Sequence, residues 1–327
     1  MSKAFASTAD LAEKRVSFDE IGPGLYAYTA EGDPNSGVII GDDSVLVIDA
    51  QATPAMAEGV IARIRAVTDK PIRHLVLTHY HAVRVLGASA YRANAILASE
   101  ATRALIAERG AEDMASEIGR FPRLFRGRDT IPGLTWPTIT FARDITLWLG
   151  GREVRIIHIG RAHTAGDTVV WLPKERVLFA GDTVEFGATP YCGDAHFRDW
   201  PATLAAIRAL GPEALVPGRG RALTTGSESR LAIEGTEAFV TRLFALVRAF
   251  AERGASLKET YEAAMHALRP DFGQWVIFEH CMPFNVSRAY DEAIGIERPR
   301  VWTAERDLAL WRALEGEIAP KTAEVHG

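Results

Sequence analysis

Four short polar motifs constrain this chain more than any other feature, because each one follows an apolar, strand-like stretch. Their order along the chain and their placement at strand ends carry more information than any single residue. Residues 78–84 read THYHAVR, 160–167 read GRAHTAGD, 179–182 read FAGD and 216–220 read VPGRG.

The first motif has the spacing of a pair of metal ligands. His79 and His81 lie two positions apart after the apolar residues 75–77. If the strand geometry persists, side chains two apart project to the same side of the chain. A third histidine from another loop and one carboxylate would complete a four-coordinate set of three nitrogens and one oxygen. Such a set suits zinc, and iron or manganese is also compatible with it.

Together the four motifs resemble the metallo-β-lactamase superfamily, whose first segment usually reads H-x-H-x-D-H and whose ligands hold two metal ions. The resemblance places four residues at metal-ligand positions: His79, His81, His163 and Asp182. At three other ligand positions this chain departs from the pattern: the aspartate is Val83, the third histidine of the motif is Arg84, and the histidine of the last turn is Arg219.

These departures predict one divalent transition metal per chain, most simply zinc, in place of two. Val83 can neither hold a second ion nor handle a proton. Arg84 and Arg219 supply permanent positive charge there, and their forked donors match carboxylate or phosphate oxygens. We therefore predict catalytic roles for Asp182, Arg84 and Arg219, the arginines binding an anionic substrate group. The alternative is that the arginines pair only with protein carboxylates such as Asp182.

The resemblance implies an α/β fold, the four-layer αβ/βα sandwich, over residues 20–225. Residues 226–327 are predicted to form a helical extension that packs on it, with a capping box at 256–259. Within the sandwich, the patterns predict helices over 54–67, 85–94, 99–109 and 200–210. Residues 111–137 are expected to be irregular, with a basic stretch that includes Arg120, Arg123 and Arg126. Residues 279–285 show no period and are expected to be a loop near the pocket.

Composition limits the partners. The chain has 327 residues, a formal net charge of −5 and a hydrophobic fraction of 47%. The negative charge argues against nucleic acid or an anionic membrane as the main partner. No uninterrupted apolar run approaches the ~18 residues of a membrane span, and the start of the chain is polar, so we expect a cytoplasmic protein. The two cysteines, Cys192 and Cys281, are too few for a disulfide framework.

Taken together, the sequence predicts a metal-dependent hydrolase that uses metal-activated water on a small ester, thioester or amide with an anionic group. Two other functions fit the same residues: a catalytically silent binding protein with a structural metal, and an iron-dependent redox enzyme. The sequence does not identify the substrate or the oligomeric state.

Overall fold

The computed structural model describes residues 3–319, which form two mixed layers of sheet with helices outside. The first sheet has the order β1-β2-β3-β4-β5-β6-β7 and the second the order β12-β11-β10-β9-β8. The strands of the first sheet are β1 Ser17–Gly22, β2 Leu25–Thr29, β3 Ser36–Ile40, β4 Val45–Ile48, β5 Ile72–Val76, β6 Ala95–Ser99 and β7 Ile139–Phe141. Those of the second are β8 Asp144–Leu149, β9 Arg152–His158, β10 Thr168–Leu172, β11 Val177–Gly181 and β12 Ala214–Pro217.

Helices cover the outer face of each sheet and continue to the end of the described chain. In chain order they are α1 Pro54–Val67, α2 Ala82–Val85, α3 Ala88–Tyr91, α4 Glu100–Arg120, α5 Trp200–Leu210, α6 Gly226–Glu252, α7 Leu257–Phe272, α8 Phe278–Ala293 and α9 Ala304–Glu315. Local sequence explains several starts. Thr53 caps α1 by accepting from the Met56 N–H at 3.1 Å, and Ser256 and Glu259 form the predicted capping box of α7.

The core has a separate apolar cluster for each interface between layers. One cluster lies between the two sheets and combines residues such as Leu46 and Val170. A second packs the first sheet against α1 and its neighbours, and a third packs the second sheet against α5 to α8. In the third, Phe239 of α6 shares a cluster with Leu178 and Trp200. The predicted αβ/βα sandwich with its helical C-terminal region is therefore confirmed.

Three predicted elements were wrong. The helix expected over 85–94 is two short helices, α2 and α3, because the chain turns at Gly87. A Cβ there would lie 2.1 Å from the Ala50 carbonyl oxygen. The expected irregular region 111–137 begins with ten helical residues, since α4 continues to Arg120. The buried carboxylates of Asp113 and Glu117 on α4 accept the N–H groups of Ala82 and Val83 at the start of α2.

The segment 279–285 is also helical, as part of α8. Most residues of α8 are buried, so neither face shows the polar stripe that makes a helix visible in sequence. Ile277, the residue before α8, has a left-handed backbone with φ of +58°, which is rare for a β-branched side chain. No helix among residues 3–319 is both long enough and apolar enough to span a membrane.

Candidate metal centre

Three buried imidazoles meet at one edge of the sheets. His79 and His81 follow β5, and His163 lies in the turn between β9 and β10. One nitrogen from each ring falls within 4.8 Å of the other two. His163 Nε2 is 2.9 Å from His81 Nδ1, and the three rings stand nearly perpendicular to one another. The structure therefore brings together the three histidines that the sequence predicts as ligands.

The remaining nitrogen of each ring is held by a neighbour, which fixes the ring orientation. His79 Nδ1 lies 3.0 Å from the Thr78 hydroxyl, and Thr78 in turn donates to the Asp49 carboxylate. His81 Nε2 lies 3.1 Å from the Asp194 carboxylate. His163 Nδ1 lies 2.6 Å from the Tyr191 carbonyl oxygen, to which it donates as the Nδ1–H tautomer. Such partners orient metal-ligating imidazoles and select the tautomer.

The free nitrogens fit a divalent cation. His79 Nε2 is buried and has no hydrogen-bond partner among the described residues, an arrangement that costs free energy unless a ligand completes it. Burial lowers the pKa of His163 to about 3 and the pKa of His79 well below its usual value, so both rings are neutral, as ligands must be. Burial also lowers the pKa of His81, but the Asp113 and Asp194 carboxylates outweigh it and raise that pKa to about 9.

Asp182 connects the imidazoles to the two arginines. Its Oδ2 lies 3.7 Å from His79 Nε2 and 3.6 Å from His163 Nε2, close to the open face of the histidine cluster. Arg84 donates to its Oδ1, and Arg219 donates to its Oδ2 at 3.1 Å. Burial alone would raise the pKa of Asp182, but Arg84, His79 and Arg219 hold it well below its usual range. The carboxylate is thus ionised and engaged by cations on both sides.

The two arginines occupy different environments. Arg84 is fully buried and also donates to the carbonyl oxygens of Asn35 and Gly218, both at 2.7 Å. It does not line the cavity beside the histidines, so its predicted contact with a substrate anion has no geometric support. Arg219 does line that cavity, and its Nε has no partner in the described chain. Glu185 lies behind it and accepts its backbone N–H.

The cavity in front of the histidines is small, with a volume of about 30 Å³. Its wall combines cationic, acidic and apolar side chains. They include His81, Val83, Glu117, Arg120, Phe121, His163, Asp182, Tyr191, Arg219, Ile277, His280 and Cys281. In the sequence, Arg120 stands out only as part of a basic stretch, and no motif indicates a role for Glu117, Tyr191 or Asp194. The pattern of the chain held no signal for these residues, because helix α4 and the loop before α5 approach the histidines only in three dimensions.

A family model described as the metallo-beta-lactamase superfamily matches residues 29–219, more than half of the chain. The chain belongs to this superfamily. Among curated proteins, a type 2 metallo-beta-lactamase of Bacteroides fragilis is 23% identical over 218 residues, which are 63% of this chain and 79% of that protein. A linear primary-alkylsulfatase of a Pseudomonas species is 23% identical over 211 residues, covering 55% of this chain and 40% of the relative.

Solved structures show the same superfamily fold. A metallo-beta-lactamase from Pontibacter korlensis aligns with a TM-score of 0.56 and 20% identity, covering 69% of this chain and 99% of its own. A double mutant of the sec-alkyl sulfatase PisA1 aligns with a TM-score of 0.67 and 15% identity, covering 86% of this chain and half of its own. The larger share of this chain covered by the sulfatase shows that its fold extends further into the helical C-terminal region of this superfamily member.

Proposed function

We propose that this superfamily member is a mononuclear metal-dependent hydrolase acting on a small ester, thioester or amide that carries an anionic group. The observation that carries the proposal is the convergence of three buried imidazole nitrogens, one of them without any partner, at the edge of a cavity. Three histidines and Asp182 would hold one divalent ion, with zinc as the first candidate. Bound there, the metal would supply Lewis acidity and an activated water.

A single ion is proposed because the second site is filled by protein. Both oxygens of Asp182 accept from guanidinium groups, and the chain supplies valine and arginine at the other second-site positions. Two fixed cations next to Asp182 disfavour another divalent ion by charge repulsion. The metal-binding half and the arginine-filled half therefore share one carboxylate.

Proton handling is assigned to Glu117. The superfamily pattern has an aspartate where this chain has Val83, and the Val83 N–H donates to Glu117 Oε2 at 2.9 Å. A carboxylate from α4 thus approaches the backbone position of the missing one, and it lines the cavity. Asp182 is poorly suited to this role, because two guanidiniums stabilise its ionised form. We propose that Glu117 accepts the proton of the attacking water.

Elemental analysis and ester hydrolysis test this function together. The zinc-loaded protein is expected to hold about one ion after dialysis and to hydrolyse para-nitrophenyl esters. The Glu117→Gln variant should keep the metal but lose most of the activity, since one proton acceptor is worth roughly 10²- to 10⁴-fold in rate. Two tightly held ions would contradict the mononuclear centre. Metal binding without hydrolysis of any ester, thioester or amide would favour a silent binding protein, and oxygen consumption by the iron-loaded protein would favour a redox enzyme.

A further inference from the structure

Arg120 is the cationic side chain of the cavity that the proposed chemistry does not use. It ends α4, only 2% of it is exposed, and it lines the cavity together with the histidines. A guanidinium carries five N–H donors. Its one side-chain hydrogen bond in the described structure is donated to the Tyr191 hydroxyl at 2.7 Å, and Nε is buried without a partner.

The nearby carboxylates do not neutralise Arg120 by direct hydrogen bonds. Its Nε lies 3.5 Å from the Asp307 carboxylate, which the Ser116 hydroxyl already engages at 2.5 Å. Its NH2 group lies 4.0 Å from Glu117 Oε1, and the other oxygen of Glu117 is tied to Val83. Buried charges normally find a hydrogen-bonding partner. Arg120 is therefore a buried cation that lines the cavity and makes one side-chain hydrogen bond in the described structure, although its guanidinium has five donors.

Tyr191 sets the distance between this cation and the metal ligands. The Arg120 guanidinium lies 4.8 Å from the centre of the Tyr191 ring, and that ring lies 5.7 Å from the His81 ring. The cation and the imidazoles are thus separated by one aromatic ring. A group bound to Arg120 would lie a short spacer away from a bond that reacts at the metal.

The other residues of the cavity wall indicate the polarity of that spacer and the net charge of the ligand. Val83, Phe121 and Ile277 make one part of the cavity apolar. The carboxylates of Asp182 and Glu185 lie beside Arg219, and those of Asp307 and Glu117 lie 3.5 Å and 4.0 Å from Arg120. Because these carboxylates already offset much of the positive charge, the cavity favours a ligand with one negative charge over a ligand with two.

We propose that Arg120 anchors a monoanionic group of the substrate, a carboxylate or a sulfonate, that is joined to the scissile bond by a short apolar spacer. The inference rests on the proposed hydrolase and names its substrate class. A guanidinium pairs with either oxyanion through two parallel hydrogen bonds. Arg219, on the same wall, contacts the part of the substrate nearer the metal.

Calorimetry on the zinc-loaded full chain tests this anchor without relying on turnover. The ligands are hexanoate, pentanesulfonate and neutral pentanol, which share one five-carbon alkyl chain. We expect both anions to bind and pentanol to bind far more weakly. Arg120→Gln should weaken anion binding by about 30-fold or more, the scale for removing one partner of a buried charge pair. Arg120→Lys should recover only part of it, because lysine lacks the fork.

Arg126→Gln is the matched control, because it removes the same charge from the same basic segment. Arg126 is exposed, pairs with Glu13 at the surface and does not line the cavity. The control should bind the anions as the wild type does. Equal affinity in wild type and Arg120→Gln would show that the anions do not bind to Arg120 and would overturn the anchor. If Arg120→Gln fails to fold, anions that bind wild type no more tightly than pentanol overturn it instead.

The outcomes separate this inference from the proposed function. If the protein holds one zinc ion and hydrolyses para-nitrophenyl pentanoate but binds no pentanesulfonate, the hydrolase stands and the anchor is wrong. If it binds the anions through Arg120 but hydrolyses no ester, thioester or amide, the anchor stands and the hydrolase is wrong. The mono-para-nitrophenyl ester of glutaric acid gives a second readout. Its kcat/KM should exceed that of the neutral pentanoate ester in wild type and not in Arg120→Gln.

Discussion

The two halves of the centre share the segment after β5 and the carboxylate of Asp182, and they are filled by opposite means. On one side, three imidazoles have their outer nitrogens held by neighbours and their inner nitrogens facing one another, with His79 Nε2 lacking a partner in the described structure. On the other side, two guanidiniums occupy the corresponding space and engage Asp182. The first half needs a ligand to become complete, and the second is already a closed ion-pair cluster. This difference shows that the loops support either coordination or ion pairing, provided that Asp182 has positive charge beside it.

The largest effect is expected from removing one of the three histidines of the proposed metal site. His163→Ala should reduce zinc occupancy from about one ion per chain to almost none. It should also remove the stabilisation that the metal provides, which is about 2.7 kcal/mol when free metal is 100-fold above its Kd. Elemental analysis and thermal unfolding with and without zinc measure this. His266→Ala, an exposed histidine of α7, should change neither quantity. Full zinc occupancy in His163→Ala would show that His163 is not a metal ligand.

Substitutions in the ion-pair cluster of Arg84, Arg219 and Asp182 should change the free energy of unfolding. Arg84→Gln leaves buried Asp182 with one cation fewer and is expected to lower the free energy of unfolding by about 3–5 kcal/mol. Arg219→Gln should cost less, because Arg219 makes one side-chain hydrogen bond in the described structure where Arg84 makes three. Urea unfolding of both variants measures the difference. If the two substitutions cost the same, the distinction we draw between the buried and the cavity-lining arginine is not supported.

A smaller effect is expected at Asp194, which orients His81 from outside the cluster. Asp194→Asn keeps the shape and removes the charge that favours the proton on His81 Nε2. Loss of such a partner typically weakens metal affinity by about 10- to 100-fold. Competition with a fluorescent zinc chelator measures this. Asp43→Asn, which removes an exposed carboxylate paired with Arg73, is the control and should leave zinc affinity unchanged.

The smallest effect concerns Ile277, whose side chain lines the cavity shared by the two halves. Its φ of +58° favours glycine, because a Cβ is strained in the left-handed region. Ile277→Gly should therefore be more stable than Ile277→Ala by about 1 kcal/mol, the reverse of the usual order of these residues. Both variants lose nearly the same side chain, so the difference between their free energies of unfolding reports the backbone strain at this position. An Ala variant more stable than the Gly variant would show that the strain is absent.

The sequence predicted the fold well where local rules operate. The strands after which the motifs lie, the caps at Thr53 and Ser256, and the position of His163 all follow from patterns within a few residues. The cavity wall did not follow. The buried positions of α4 include polar residues such as Glu117 and Arg120, so no apolar stripe marks them, and α8, which carries His280, is mostly buried. Arg84 shows a further limit: its replacement of a histidine was visible in the sequence, but its hydrogen bonds to the Asn35 and Gly218 carbonyls were not.

The guanidiniums of Arg84 and Arg219 are covalent parts of the chain, so half of this centre is assembled as soon as the polypeptide folds. Neither chelation nor a shortage of metal in the surroundings removes them. A two-metal relative must obtain both of its cations from outside, whereas this protein encodes part of that positive charge in its gene. In the proposed one-metal centre, the dependence on metal supply is thereby confined to the histidine cluster.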